Sequence, residues 1–151
     1  NDAAIEQVQS HIDDAKQGGG EVMVGGKAHA LGGTFFQPTV LQNVCAKMRI
    51  ASEETLGLIA PVFKFTYDED VIAQANDTIY GLASYFYAKD MARVWRTAEA
   101  LEYGMVAVNT PILSTEVAPS GGIKQSGIGR EGSRYGIDEF MEMKYILLSG
   151  I

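Results

Sequence analysis

Apolar residues at the start of the chain recur at spacings of three and four. Ile5, Val8, Ile12 and Ala15 form one stripe within residues 3–17, with charged and amide side chains between them. That period predicts an amphipathic helix, closed by Gly18-Gly19-Gly20. Residues 21–24 read as a short strand broken by Gly25-Gly26, and Thr39-Val40-Leu41 as extended chain beside Pro38. Residues 48–55 fit no single period. From Leu58 the rhythm changes. Residues 59–65 predict a strand, residues 69–75 a helix with Asp68 as its N-cap, and residues 84–88 a second strand. Asp90 caps a further helix over 91–101, Gly104 sits past its end, and residues 105–109 form a third strand. Strand, helix, strand, helix, strand at this spacing predicts an α/β fold with parallel βαβ units and right-handed crossovers.

Residues 113–132 break the pattern. They hold Pro119, the pair Gly121-Gly122 and several hydroxyls with little periodicity. Parallel sheets place ligand chemistry in loops beyond the carboxyl ends of their strands, so the loop leaving 105–109 is the site candidate by position. A helical stretch is expected over 134–140 and a last strand over 142–149. Its apolar run Tyr145-Ile146-Leu147-Leu148 would be an association-prone edge if unpaired.

Composition narrows the class. The 151 residues are 46% hydrophobic and 21% charged, with a formal net charge of −7. This suits an ordinary globular domain large enough to bury a core, and excludes disordered, collagen-like and disulfide-rich chains. The acidic balance argues against nucleic acid as a partner, since displacing phosphate counterions takes Lys and Arg. No apolar run approaches the roughly 18 residues of a membrane span. The first residues, Asn1-Asp2-Ala3-Ala4-Ile5-Glu6, do not resemble a secretory signal and lack Met, so a piece of a longer polypeptide is expected. The single cysteine fits a reducing, cytoplasmic setting.

Candidate chemistry is sparse. Gly127-Ile128-Gly129-Arg130-Glu131-Gly132 matches GxGxxG. The dinucleotide fingerprint, however, needs a strand before it and an acidic residue at the end of the next strand. A glycine-rich loop fits better. Cys45 lacks a base nearby in sequence, His11 and His29 being the only histidines, and is expected to be a small half-buried side chain. One Cys and two His lack metal-ligand spacing. Glu53-Glu54 reads as a solvated pair, although a carboxylate can also accept hydrogen bonds from sugar hydroxyls. Ser114 and Ser120 can donate to a ligand carboxylate, or simply form turns. Asn76-Asp77-Thr78 reads as a loop.

Three segments together carry a resemblance. Residues 48–57, Met-Arg-Ile-Ala-Ser-Glu-Glu-Thr-Leu-Gly, are similar to the EE-x-F-G-P segment of the aldehyde dehydrogenases. Residues 76–83, Asn-Asp-Thr-Ile-Tyr-Gly-Leu-Ala, are similar to their AN-x-T-x-YGLA stretch, and residues 119–132 resemble their PFGG-x-K-x-SG-x-GRE-G loop. The motifs occur in family order and span the chain. Residues 68–78 and 132–139 most resemble the succinate-semialdehyde dehydrogenases within that family.

The resemblance implies a definite chemistry. In the family a cysteine thiolate attacks the aldehyde, hydride passes to NAD or NADP, and a glutamate-activated water cleaves the thioester. Glu54 matches the glutamate that holds the ribose hydroxyls beside the nicotinamide. Leu56 matches a phenylalanine packed near that ring, and Leu58 stands where proline is usual. Ser114 matches a hydroxyl that helps bind the distal carboxylate of the substrate. Ser120 replaces a phenylalanine of the aldehyde tunnel. No segment matches the family's catalytic cysteine, its glutamate base, its oxyanion-stabilising asparagine or its dinucleotide loop, so no catalytic residue is assigned here. The resemblance thus implies the C-terminal part of the enzyme. Residues 1–136 would belong to the later half of the catalytic domain. Residues 137–151 would form an oligomerisation strand that joins a neighbouring subunit. The expected partners are the rest of the same polypeptide, a small aldehyde and further copies of the chain, with NAD and NADP both open as cofactor. The competing expectation is a stand-alone α/β assembly module without catalysis.

Overall fold

The computed structural model describes all 151 residues. They divide into two compact units, Asn1–Tyr67 and Asp68–Ile151. No helix is long and apolar enough to cross a membrane.

The first unit opens with helix α1, Asp2–Gln17. Asn1 caps it, its side chain accepting from the Ala4 amide at 3.0 Å. Asp2 in the first turn and Lys16 in the last both suit the helix dipole. The predicted stripe turns inward, with Val8, Ile12 and Ala15 buried. Strands β1 (Glu21–Val24), β2 (Thr39–Gln42) and β3 (Ile59–Pro61) form a sheet in that order. β1 and β2 are antiparallel, with a bulge between Val22 and Val24, while β2 and β3 are parallel. β2 is central, and its alternation sends Thr39 and Leu41 inward. Leu41 packs with Ala15, Val44, Met48 and Ile50, and Val22, Ile59 and Phe63 close the cluster. The strand expected over 59–65 is shorter, ending at Pro61, whose lack of an N–H suits the unpaired side of this edge strand, while the Val62 amide still donates to the Leu41 carbonyl at 2.9 Å. Residues 48–55 hold one turn of 3₁₀ helix, Arg49–Ala51.

The second unit contains α2 (Asp68–Asn76), β4 (Ala83–Phe86), α3 (Met91–Ala100) and β5 (Met105–Val108). β4 and β5 pair in parallel from Ala83↔Met105 to Phe86↔Val108. With α3 between them they form one of the two βαβ units expected from the spacing; the other is not formed, because β3 pairs with β2 rather than with β4. Asp90 caps α3 by accepting from the Arg93 amide at 2.7 Å. Asp68 is not a cap. It is the first residue of α2, and its carboxylate binds the Arg93 guanidinium, joining α2 to α3. Asn76 is not loop either. It ends α2, donates to the Ala100 carbonyl and accepts from the Glu102 amide, both at 2.8 Å. One amide side chain thereby satisfies a carbonyl that the end of α3 leaves open and an N–H just beyond it.

Gly104 also differs from its expected role. The C-cap of α3 is Leu101, and Gly104 is needed for close approach: a Cβ there would lie 2.0 Å from the Gly121 carbonyl oxygen. Residues 134–140 form turns ending in a short 3₁₀ segment, Asp138–Phe140, rather than a continuous helix. The strand expected over 142–149 forms no ladder, and residues 141–151 are exposed. An apolar run is only a precursor of strand. The strand itself requires a neighbour's hydrogen bonds, and no strand of this chain pairs with it.

Candidate functional site

In the first unit, Glu54 and Leu56 follow the 3₁₀ turn on an exposed segment, Leu56 being 69% exposed. The Glu54 backbone carbonyl accepts from Gln7 Nε2 at 2.9 Å. Its neighbour Glu53 is not a merely solvated charge. Arg49 donates to both Glu53 oxygens, Nε to Oε1 at 2.9 Å and Nη2 to Oε2 at 2.8 Å. His11 Nε2 lies 3.0 Å from the same Oε2. The Arg49 hydrogen bonds, and next the one from His11, hold the Glu53 carboxyl well below its ordinary value, at about 2. His11 itself is fully buried, with Nδ1 2.5 Å from Thr55 Oγ1. No motif or local spacing assigns His11 a role, yet the sequence carries a signal: a histidine beside the stripe Val8, Ile12, Ala15 is carried into the core and needs a polar partner there. Cys45 is exposed rather than half-buried. It lies in the turn after β2, where Asn43 is left-handed and Val44 and Met48 take the core positions.

The second unit organises the glycine-rich loop. Ser120 and Glu131 pair across it, amide to carbonyl in both directions at 2.8 and 2.7 Å. The Arg130 guanidinium reaches the carbonyls of Gly122, Ile128 and Gly129 at 2.7, 3.1 and 2.9 Å. Glu139 accepts from the Arg130 amide at 3.1 Å. The loop is pinned to residues 76–82. Ile123 N–H and Gly104 N–H both donate to the Gly81 carbonyl, and Ser126 Oγ accepts from the Gly81 amide at 3.0 Å. Lys124 Nζ donates to the Asn76 carbonyl at 2.8 Å and pairs with Glu102 at 2.7 Å. The GxGxxG run follows a 3₁₀ turn, Lys124–Ser126, and opens no helix. It lacks the strand–turn–helix setting of a dinucleotide loop.

A cleft of about 560 Å³ lies against this loop, lined among others by Leu82, Met105, Ser120, Arg130, Glu131 and Phe140. Ser120 Oγ points toward Met105 Sδ at 3.4 Å. Ser114 is exposed in the segment after β5 and does not line the cleft. Asn109 fixes where that segment departs, since its amide both accepts from the Ala88 N–H and donates to the Ala88 carbonyl, at 2.9 and 2.8 Å.

Residues 1–146 match the profile of the aldehyde dehydrogenase family. The chain belongs to that family. It is 57% identical over 148 residues to a glutarate-semialdehyde dehydrogenase of Pseudomonas aeruginosa, covering 98% of this chain and 31% of that protein. It is 56% identical over 148 residues to the NADP(+) succinate-semialdehyde dehydrogenase GabD of Escherichia coli, with the same coverage. Among solved structures, the succinate-semialdehyde dehydrogenase of Burkholderia pseudomallei superposes with a TM-score of 0.89 at 58% identity, covering 93% of this chain and 29% of that one. This aldehyde dehydrogenase chain thus spans about 31% of the length of the curated relatives it matches. Its α/β architecture with parallel strand pairing is that of the corresponding portion of these enzymes.

Proposed function

We propose that the chain is the C-terminal part of an NAD(P)-dependent aldehyde dehydrogenase that oxidises succinate semialdehyde, or a close ω-carboxylated aldehyde, to the dicarboxylic acid. The observation that carries this reading is the identity of 56–57% to enzymes named for the semialdehydes of two dicarboxylic acids. Residues 1–136 are assigned to the later half of the catalytic domain and residues 137–151 to an oligomerisation strand. The exposed apolar run Tyr145 to Leu148 supports that strand. The protein is assigned to the cytoplasm, as a homo-oligomer.

Glu54 and Leu56 are the residues proposed to meet the dinucleotide. They fit it chemically: an exposed carboxylate whose backbone is already anchored by Gln7 is free to accept from vicinal hydroxyls, and an exposed leucine offers apolar contact. When bound, NAD or NADP supplies the hydride acceptor. What these residues contribute is orientation. Ser114 is proposed to donate to the distal carboxylate of the substrate. Ser120 is proposed to line the aldehyde passage, where its hydroxyl in place of an aromatic ring widens the cleft.

The 151-residue chain alone is expected to be inactive, because no segment of it matches the family's nucleophile or base. The test is reduced-nicotinamide formation with succinate semialdehyde, by the isolated chain and by the full-length polypeptide carrying it. Turnover by the full-length protein alone is expected. Robust turnover by the isolated chain, or none by the full-length protein, contradicts the proposal.

A further inference from the structure

The side chains of α1 and the segment that follows the 3₁₀ turn are joined at nearly every opportunity. Gln7, Ser10, His11 and Asp14 lie on one face of the helix, at spacings of three and four. Each reaches residues 49–55. Asp14 accepts from the Arg49 amide at 2.8 Å, and Ser10 Oγ accepts from Arg49 Nη1 at 2.7 Å. His11 takes Thr55 on one ring nitrogen and Glu53 on the other, and Gln7 takes the Glu54 carbonyl. Val8 completes the contact by packing on Gly57, where any Cβ would come within 2.3 Å of Val8 Cγ2.

The Glu54 side chain is the exception. The residues on both its sides, Glu53 and Thr55, are bound to one fully buried imidazole, and its own carbonyl is bound to α1, while the residue itself is exposed. With the side chains of both neighbours bound and its own carbonyl anchored, the Glu54 side chain has little beyond its own torsions to lose. A buried histidine bridging two residues 42 and 44 positions away in sequence is a costly way merely to fill a core. It is an effective way to hold one exposed carboxylate in place.

We propose that His11, with Gln7 and Thr55, is a positioning residue for the dinucleotide: α1 clamps residues 53–55 so that the Glu54 carboxylate is presented at a fixed place. The inference rests on the reading of Glu54 as a cofactor ligand. None of the three needs to touch the cofactor, since they act through the backbone that carries Glu54.

The experiment uses the full-length enzyme with Thr55→Val, Gln7→Ala, His11→Ala, His11→Gln and Glu54→Gln. Dinucleotide Kd is read by fluorescence titration, KM is read separately for dinucleotide and aldehyde, and amide hydrogen exchange is followed over residues 53–57. Thr55→Val and His11→Ala are expected to weaken dinucleotide binding about tenfold. The KM for aldehyde should hold and exchange over 53–57 should rise. Gln7→Ala should act in the same direction more weakly. His11→Gln, whose amide can still donate to Glu53, should recover part of the loss. If Thr55→Val and Gln7→Ala bind dinucleotide within about twofold of wild type while Glu54→Gln does not, the clamp is refuted and the cofactor reading stands. An unchanged Glu54→Gln refutes the cofactor reading itself. Parallel losses for dinucleotide and aldehyde, tracking a lower Tm, reduce His11 to a structural residue and overturn the proposal.

Discussion

Asn76→Ala is the sharpest test of how the second unit is held together. In the native chain this amide donates to the Ala100 carbonyl and accepts from the Glu102 amide, both at 2.8 Å. The alanine variant leaves both backbone groups without that partner. Each such bond contributes about 0.5–1.5 kcal/mol net, so the pair predicts a loss of about 1–3 kcal/mol. With a urea dependence of roughly 2 kcal/mol per molar, the unfolding midpoint should fall by about 1 M. The single tryptophan, Trp95, lies on α3, the helix whose end Asn76 satisfies, so its fluorescence is the assay. Asn76→Asp adds a second reading. Ionised, it places negative charge against the Ala100 carbonyl at a helix C-terminus, which is unfavourable. Protonated, it regains a donor. Its deficit relative to wild type should therefore shrink as the pH falls below about 4. A midpoint shift below about 0.2 M for Asn76→Ala would refute the reasoning, since solvent would then be satisfying both groups equally well.

Three further outcomes are expected. Glu53 is held at about 2 against an ordinary 4.5, so it stabilises the fold above 4.5 and that contribution is lost as the pH falls toward 2. Glu53→Gln should flatten the acid limb of Tm against pH, and an unchanged slope would remove the ion pair from the account. Gly104→Ala should push the glycine-rich loop off Gly104, because its Cβ would sit 2.0 Å from the Gly121 oxygen. A loss of at least about 1–3 kcal/mol and faster tryptic cleavage at Lys124 and Arg130 are expected, and unchanged cleavage would contradict the close approach. The Ser84 hydroxyl is buried without a hydrogen-bond partner, so Ser84→Ala should be neutral or stabilising by up to about 1 kcal/mol, as read from Tm. A clear loss of Tm would show that the hydroxyl is satisfied after all.

Local rules made part of this architecture legible. α1 could be read because its core contacts repeat at the helix's own period, and α3 because Asp90 supplies its cap from one position away. What escaped depended on distant partners. Glu53 looks like a free charge until Arg49 and His11 are beside it, and His11 is 42 residues away in sequence. Asn76 reads as loop until Ala100 and Glu102 come within reach of its amide. Gly104 imitates a helix cap because spacing alone cannot reveal that Gly121 crosses over it. The apolar run of residues 145–148 states a preference for pairing, whereas a strand also needs an edge to pair with.

The candidate site divides in the same way. Ser120 was placed by its motif, and the fold puts it on a cleft wall. Ser114, matched by the same logic, lies on exposed chain away from that cleft. Resemblance proposes Glu54, but the hydrogen bond anchoring its carbonyl comes from α1, which no motif includes.

The proposal that these residues serve an aldehyde dehydrogenase selective for an ω-carboxylated substrate can be tested directly. Its most direct test is kcat/KM of the full-length enzyme for succinate semialdehyde and for butanal, an uncharged aldehyde of equal length, with NAD and with NADP. A preference for the carboxylated aldehyde of about 100-fold or more is predicted, because a site built to bind a carboxylate rejects an analogue lacking it strongly. Equal values for the two aldehydes, or no dinucleotide reduction with either, would contradict the account.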